Sequence, residues 1–222
     1  MLHFAGVDFE DRLYTCHTLP SGCAEAASGS LERLTHCLAA ADTNYDAHTS
    51  WTSVKPGLGL SFPNLPFFIS GDLKMSQSHA ILLHVAREAK MDGTTPVLRA
   101  KALELLELSR DVREPYVALS YSDKEAFEAN KPGFMEGTLK PVLSSLEAAV
   151  VGPFLLSEFT FVDLVWFDLL EQMLALAPDC LDGKPRLTAF VEAVGALPKM
   201  AAFKSKDTYI DHPYNNPMAA FK

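Results

Sequence analysis

A small mixed α/β unit followed by an all-helical unit is the fold class that the sequence predicts. Three observations carry it. Between Phe62 and Lys90, short apolar runs are separated by a two-residue turn and then a helix start. From Pro96 onward the apolar residues repeat at helical spacing. Between the two regions lies Met-Asp-Gly-Thr-Thr-Pro, residues 91–96, a linker by composition.

The elements follow in chain order. Met1–Ala5 is short and apolar, and Gly6 stands where a helix stop belongs. Val7–Thr15 alternates in the manner of a strand, with Val7, Phe9, Leu13 and Tyr14 among charges. Residues 16–50 are irregular and hold three of the four cysteines. Within them Ser30 can cap a short helix with Leu31, Leu34, Leu38 and Ala41 on one face. Pro66 opens an apolar strand through Ile69, Gly71-Asp72 makes a hairpin turn, and Leu73–Met75 returns. Ser76 is the predicted cap of a helix that starts at Gln77, with Ile81, Val85 and Ala89 inward.

In the second unit, residues 96–119 place Leu98, Ala102, Leu105 and Leu108 on one helical face. Phe134–Val151 reads as a second helix. Thr160-Phe161-Val162-Asp163 is a capping-box start, with Asp in the usual Glu place, to a third helix through Leu176. That helix is apolar nearly all round, which predicts the buried centre of its unit. Leu187–Val194 and Pro198–Phe203 are shorter helices, and 211–222 is a surface strap.

Composition limits the function. The chain has 222 residues, 48% hydrophobic and 21% charged, ordinary globular values. A net charge of −9 disfavours sequence-independent binding to nucleic acid or to anionic membranes. Its longest apolar run, 148–156, is half the length of a spanning helix and contains Gly152 and Pro153. The N-terminus turns acidic too soon for a secretory signal, and four cysteines are too few for a disulfide scaffold. A soluble, reduced, cytoplasmic protein is expected. Cys16, His17, Cys23, His36 and Cys37 lie close in sequence, but without a C-x-x-C pair, so no metal site is assigned.

Three segments resemble one family. FPNLPFFISGDLKMSQSHAILLHVARE (62–88), FTFVDLVWFDLLEQ (159–172) and APDCLDGKPRLTAFVEAVGALPKMAAF (177–203) resemble the cytosolic glutathione transferases, mu class with sigma relatives. The resemblance implies a thioredoxin-like domain over 1–90 with an unusual insertion at 16–44, and an all-helical domain over 96–222. It implies conjugation of the glutathione thiol to hydrophobic electrophiles in detoxification, by a homodimer, with glutathione as co-substrate and no cofactor.

Glutathione carries two carboxylates, an ammonium and a thiol, and each needs a partner. Gln77 and Ser78 open a helix, where free N–H groups and the dipole favour an anion; by resemblance they hold the γ-glutamyl carboxylate. Leu65-Pro66 resembles the family's cis peptide, presenting the backbone of Asn64 and Leu65 to the cysteinyl part. Pro66 also fits a plain strand edge. Trp51 and Lys55, one turn apart, could take the glycyl carboxylate, with His48 as a further cationic contact. SRDVREPYVALSY (109–121) resembles the segment that gives Asp111 to the neighbouring subunit's ligand ammonium and Tyr121 to the electrophile. Asp111 and Arg113 are expected near the two-fold axis.

Thiol activation is the family's chemistry. A free thiol is only a few per cent thiolate at neutral pH, and a hydroxyl aimed at the sulfur lowers its pKa. In the family this donor is a Tyr on the first strand, which by alignment precedes Met1. A truncated start, a diverged binding protein of impaired activity, or a rebuilt unit in 7–42 with Tyr14 near the thiol each accounts for this. Tyr14 and Tyr121 are therefore the candidate donors, and the expectation is glutathione binding with slow conjugation.

Overall fold

Gly71-Asp72 turns the chain between two short strands, β1 (Phe67–Ser70) and β2 (Leu73–Ser76), in the antiparallel register Phe67↔Ser76 through Ser70↔Leu73. Gly71 has φ 56°, as the first central position of a type II′ turn requires. The computed structural model describes residues 51–206, 209, 211–215 and 219–222. The expected strand at Val7–Thr15, the helix at Ser30 and the 16–44 insertion lie outside the described residues. The chain divides into one unit that ends at Val85 and another over Ala86–Lys222.

In the first unit, α1 (Trp51–Val54) runs into a 3₁₀ turn, Lys55–Leu58, and the hairpin is followed by α2 (Ser78–Glu88). Ser76 differs from the expectation. It is the last residue of β2, and its hydroxyl donates to the Phe62 carbonyl instead of capping the helix. Gln77 takes the cap position because its backbone is left-handed, φ 75°, and its carbonyl accepts the first helical bond from Ile81 N–H at 3.0 Å. At the other end of α2, Lys90 has φ 55°, Met91 N–H bonds to Ala86 C=O at 2.7 Å and Lys90 N–H to Arg87 C=O at 3.0 Å. That is a Schellman stop with Lys where glycine is usual.

The regular elements described in the second unit are all helical, joined by loops: α3 (Pro96–Ser120), α4 (Lys124–Phe134), α5 (Lys140–Ala149), α6 (Phe161–Leu176), α7 (Pro185–Gly195) and α8 (Pro198–Lys204). Helix α6 is the centre, with Phe161, Val162, Trp166, Leu169, Leu170 and Met173 all fully buried. Its capping box is present as expected. On α3 the buried stripe is Ala102, Leu106, Ser109, Val112, Tyr116 and Leu119, so Leu105 and Leu108 are only half-buried. The stripe includes Ser109, whose hydroxyl is satisfied by Leu106 C=O at 2.6 Å, and a polar residue there hides the periodicity. The Trp166 indole donates to Leu105 C=O at 2.9 Å and fixes α6 against α3.

The second helix starts ten residues earlier than expected, because Asp123 caps α4 by accepting from Ala126 N–H at 2.8 Å. Two prolines and two glycines fall within 132–141. The chain crosses them in a π-helical turn, Met135–Leu139, just before Pro141. Pro141 has no N–H for the carbonyl four residues back, and a widened turn accommodates that loss. Glu147 of α5 caps α7 from a distance: its two carboxylate oxygens accept from Arg186 N–H (3.1 Å) and Leu187 N–H (2.9 Å). Among the described residues no helix is long and apolar enough to cross a membrane.

Candidate functional site

The hairpin register gathers the predicted ligand residues of the first unit. Phe67 pairs with Ser76, so Leu65-Pro66, just before β1, and Gln77-Ser78, just after β2, emerge side by side from the same end of the ladder. The Leu65-Pro66 peptide is cis, as expected. Asn64 is exposed, and its side-chain oxygen accepts from Leu65 N–H at 2.9 Å, which turns the backbone into the cis peptide. The bond from Ser76 Oγ to Phe62 C=O ties the preceding loop to the end of β2.

Trp51 reaches the same end. It is 6% exposed, and its ring stacks on Phe67 with centroids 5.8 Å apart and planes 14° from parallel. Lys55 follows one turn later and is half-buried. Lys74 of β2 donates to Leu58 C=O at 2.9 Å and closes the 3₁₀ turn that begins at Lys55. Gln77 is exposed and Ser78 half-buried at the start of α2, where the first N–H groups have no carbonyl inside the helix to bond. Local sequence rules do not anticipate the left-handed Gln77, because that conformation in a non-glycine residue is set by the strand before it and the helix after it. His48 and Tyr14 lie outside the described residues.

In the second unit Asp111 is exposed on α3. It lies in a groove of about 740 Å³ shared with Leu105, Leu108, Arg110, Glu114 and Ser145. Arg110 is held by Glu114 at 2.6 Å. Pro115 removes the N–H that the Asp111 carbonyl would accept in an uninterrupted helix. Arg113 pairs with Asp168 of α6 in the same unit, at 2.8 Å, and Gln172 donates to the same carboxylate at 3.0 Å. Tyr121 is half-buried and is the C-cap residue of α3, its N–H bonding to Val117 C=O at 3.0 Å. Cys180 is half-buried, and burial pushes its thiol up to about 11, so it is a poor nucleophile at neutral pH. Among the described residues no group of three metal-ligating side chains forms. The Cys16–Cys37 cluster lies outside them.

Comparison with known proteins gives a consistent result. The family profile described as "Glutathione S-transferase, C-terminal domain" matches residues 110–207. Glutathione S-transferase Mu 3 of Homo sapiens is 32% identical over 222 residues, spanning 99% of this chain and 86% of that protein. Glutathione S-transferase 2 of Gallus gallus is 34% identical over 168 residues, 74% of each chain. Among solved structures, the glutathione S-transferase Blo t 8 superposes with a TM-score of 0.70 at 25% identity, covering 77% of this chain and 81% of that one. The Pi-class enzyme of Onchocerca volvulus superposes with a TM-score of 0.62 at 25% identity, covering 69% and 74%.

Proposed function

The chain belongs to the glutathione S-transferase family, with a thioredoxin-like first domain and a helical second one, and we propose on that footing that it conjugates glutathione to hydrophobic electrophiles. The thiolate sulfur forms a bond to an electrophilic carbon, and a leaving group such as chloride departs with its electron pair. The observation that carries this reading is the Phe67↔Ser76 register. It sets the Asn64-Leu65-Pro66 backbone beside the Gln77-Ser78 helix start, a pair of polar backbone surfaces suited to a peptide.

Gln77 and Ser78 hold the γ-glutamyl carboxylate at the N–H groups that open α2. Asn64, Leu65 and Pro66 present backbone to the cysteinyl residue. Trp51 and Lys55, with His48, take the glycyl carboxylate. Asp111 receives the ammonium of glutathione bound to the neighbouring subunit, and Tyr121 faces the electrophile. Tyr14 is the first candidate for the hydroxyl that activates the thiol, and Tyr121 the second. No cofactor is needed for this chemistry, and the cytoplasm, rich in thiols and electrophilic metabolites, is its natural place. The domains run 1–90 and 96–222.

Lys55 provides the test. Calorimetric titration of the full chain is expected to show glutathione binding in the millimolar range or tighter. Lys55→Glu places a negative charge where a carboxylate docks and weakens binding at least tenfold, about 1.4 kcal/mol. Unchanged affinity in the variant would remove Lys55 from the site, and no binding by the native chain would overturn the reading.

The homodimer is supported by Phe62. It is 76% exposed although its carbonyl is held by the Ser76 hydroxyl, so a large apolar side chain stands in solvent. Light scattering at micromolar concentration is expected to give twice the chain mass, and Phe62→Ser to shift the mass toward that of one chain. A native chain with the mass of one copy would refute the dimer.

A further inference from the structure

The C-terminal strap is bolted to the turn that carries Tyr121. Asn215 is 8% exposed, and its amide nitrogen donates to Tyr116 Oη at 2.9 Å and to Phe221 C=O at 3.1 Å, so both amide hydrogens are used. Ala220 N–H donates to Ser120 C=O at 2.8 Å, satisfying one of the last carbonyls of α3, which a helix end leaves open. The Phe221 ring stacks on Phe127 with planes 3° apart and meets Tyr116 edge-on, centroids 6.2 Å apart, while Ala219 is 4% exposed. Burial raises the Tyr116 hydroxyl above its ordinary pKa, so it stays protonated and fixed in this bond at neutral pH. The contacts of Asn215 and Ala220 with α3 end on Tyr116 and Ser120, five residues and one residue before Tyr121.

We propose that Asn215 is a positioning residue for the electrophile: by clamping the strap to Tyr116 and Ser120 it fixes the Tyr121 ring. It thereby sets how well an apolar substituent on the glutathione sulfur is held. The proposal rests on the reading of Tyr121 given above. An exposed helix C-terminus frays within its last turn, and a side chain on a frayed turn gives little selectivity. Capping Ser120 and burying Tyr116 remove that freedom. The glutathione contacts of the first unit do not depend on this clamp, so the two affinities should separate.

The experiment titrates the full chain with glutathione and with S-hexylglutathione. Asn215→Leu keeps the side-chain size and removes the donor. Tyr116→Phe removes only the hydroxyl and is the safer variant for folding. Each is expected to weaken S-hexylglutathione about fivefold to tenfold and to change glutathione affinity less than twofold. Tyr121→Ala should weaken S-hexylglutathione at least as much, and adding Asn215→Leu to it should cause no further loss, because both act through one ring. Equal weakening of both ligands by Asn215→Leu and Tyr116→Phe, or no weakening of either, overturns the proposal while leaving Tyr121 in place. Unchanged S-hexylglutathione binding in Tyr121→Ala overturns the reading of Tyr121, and the proposal with it.

Discussion

Asp163→Ala is expected to destabilise the helical unit by about 4 kcal/mol at pH 5, because it leaves two buried N–H groups without an acceptor at about 1–3 kcal/mol each. The Asp163 carboxylate is fully buried. One oxygen accepts from Leu155 N–H at 2.8 Å and the other from Thr160 N–H at 2.7 Å. It therefore closes the N-terminus of α6 and also pins the preceding loop to it. Burial pushes the carboxyl up from 3.8 to about 6, against the hydrogen bonds, which favour the ionised form. The folded state thus binds this proton more tightly than the unfolded state does. The group's contribution is greatest below pH 4 and declines as pH rises through the window from about 4 to about 6. Alanine has no such decline, so its penalty should shrink by about 1–2 kcal/mol between pH 5 and pH 7.5. Urea unfolding followed by far-UV circular dichroism, which reports mainly on the helical unit, measures both values. A penalty that is constant over this range would mean that the carboxyl titrates as an ordinary one, and a penalty under about 1 kcal/mol would mean that the two N–H groups find other acceptors.

Gly93→Ala is expected to destabilise the same unit by about 3 kcal/mol, lowering Tm by roughly 6–12 °C for a chain of this size. Gly93 is buried at φ 111°, a conformation that residues with a side chain rarely adopt. A Cβ there would lie 3.0 Å from Arg99 N and 3.1 Å from the Leu98 carbonyl carbon. Both are backbone atoms of the first turn of α3 and cannot rotate away. The segment around Gly93 is also tied to the rest of the unit. Phe161 N–H donates to Met91 C=O at 2.9 Å, Thr94 N–H and Oγ1 donate to the Glu158 carboxylate at 2.6 and 2.8 Å, and Arg99 pairs with Asp92 at 3.0 Å. A shift of residue 93 therefore disturbs the starts of both α3 and α6. Thermal unfolding by circular dichroism decides the point, with Gly57→Ala as the control, since no atom lies within 4 Å of a Cβ at Gly57. Equal Tm values for the two variants would sink the argument.

Much of the site was legible because its signals are short in sequence. The two-residue turn and the helix after β2 fall within 65–88, where local chemistry places them, and the cis Leu65-Pro66 peptide was implied by resemblance. The left-handed Gln77 was not legible, and Ser76 looked like the cap because a Ser before a helical pattern usually is one. Phe62 C=O claims its hydroxyl from 14 residues away, a contact that no window centred on the helix contains. The partner of Arg113 was not legible either, since its guanidinium meets Asp168, 55 residues along.

The sequence by itself determined the hairpin turn, the capping box at Thr160 and the burial of α6, because each depends on residues within a few positions of one another. Only the tertiary structure decided which face of α3 is buried, since a stripe containing Ser109 becomes core only when α6 lies on it. It also decided that residues 91–95 bond to the segment before α6 and that Glu147 caps a helix about 40 residues away. Asn215, 99 residues from Tyr116, belongs to the same class. These contacts carry no local signal, because their partners are brought together by packing of apolar faces and not by the propensities of the residues that make them.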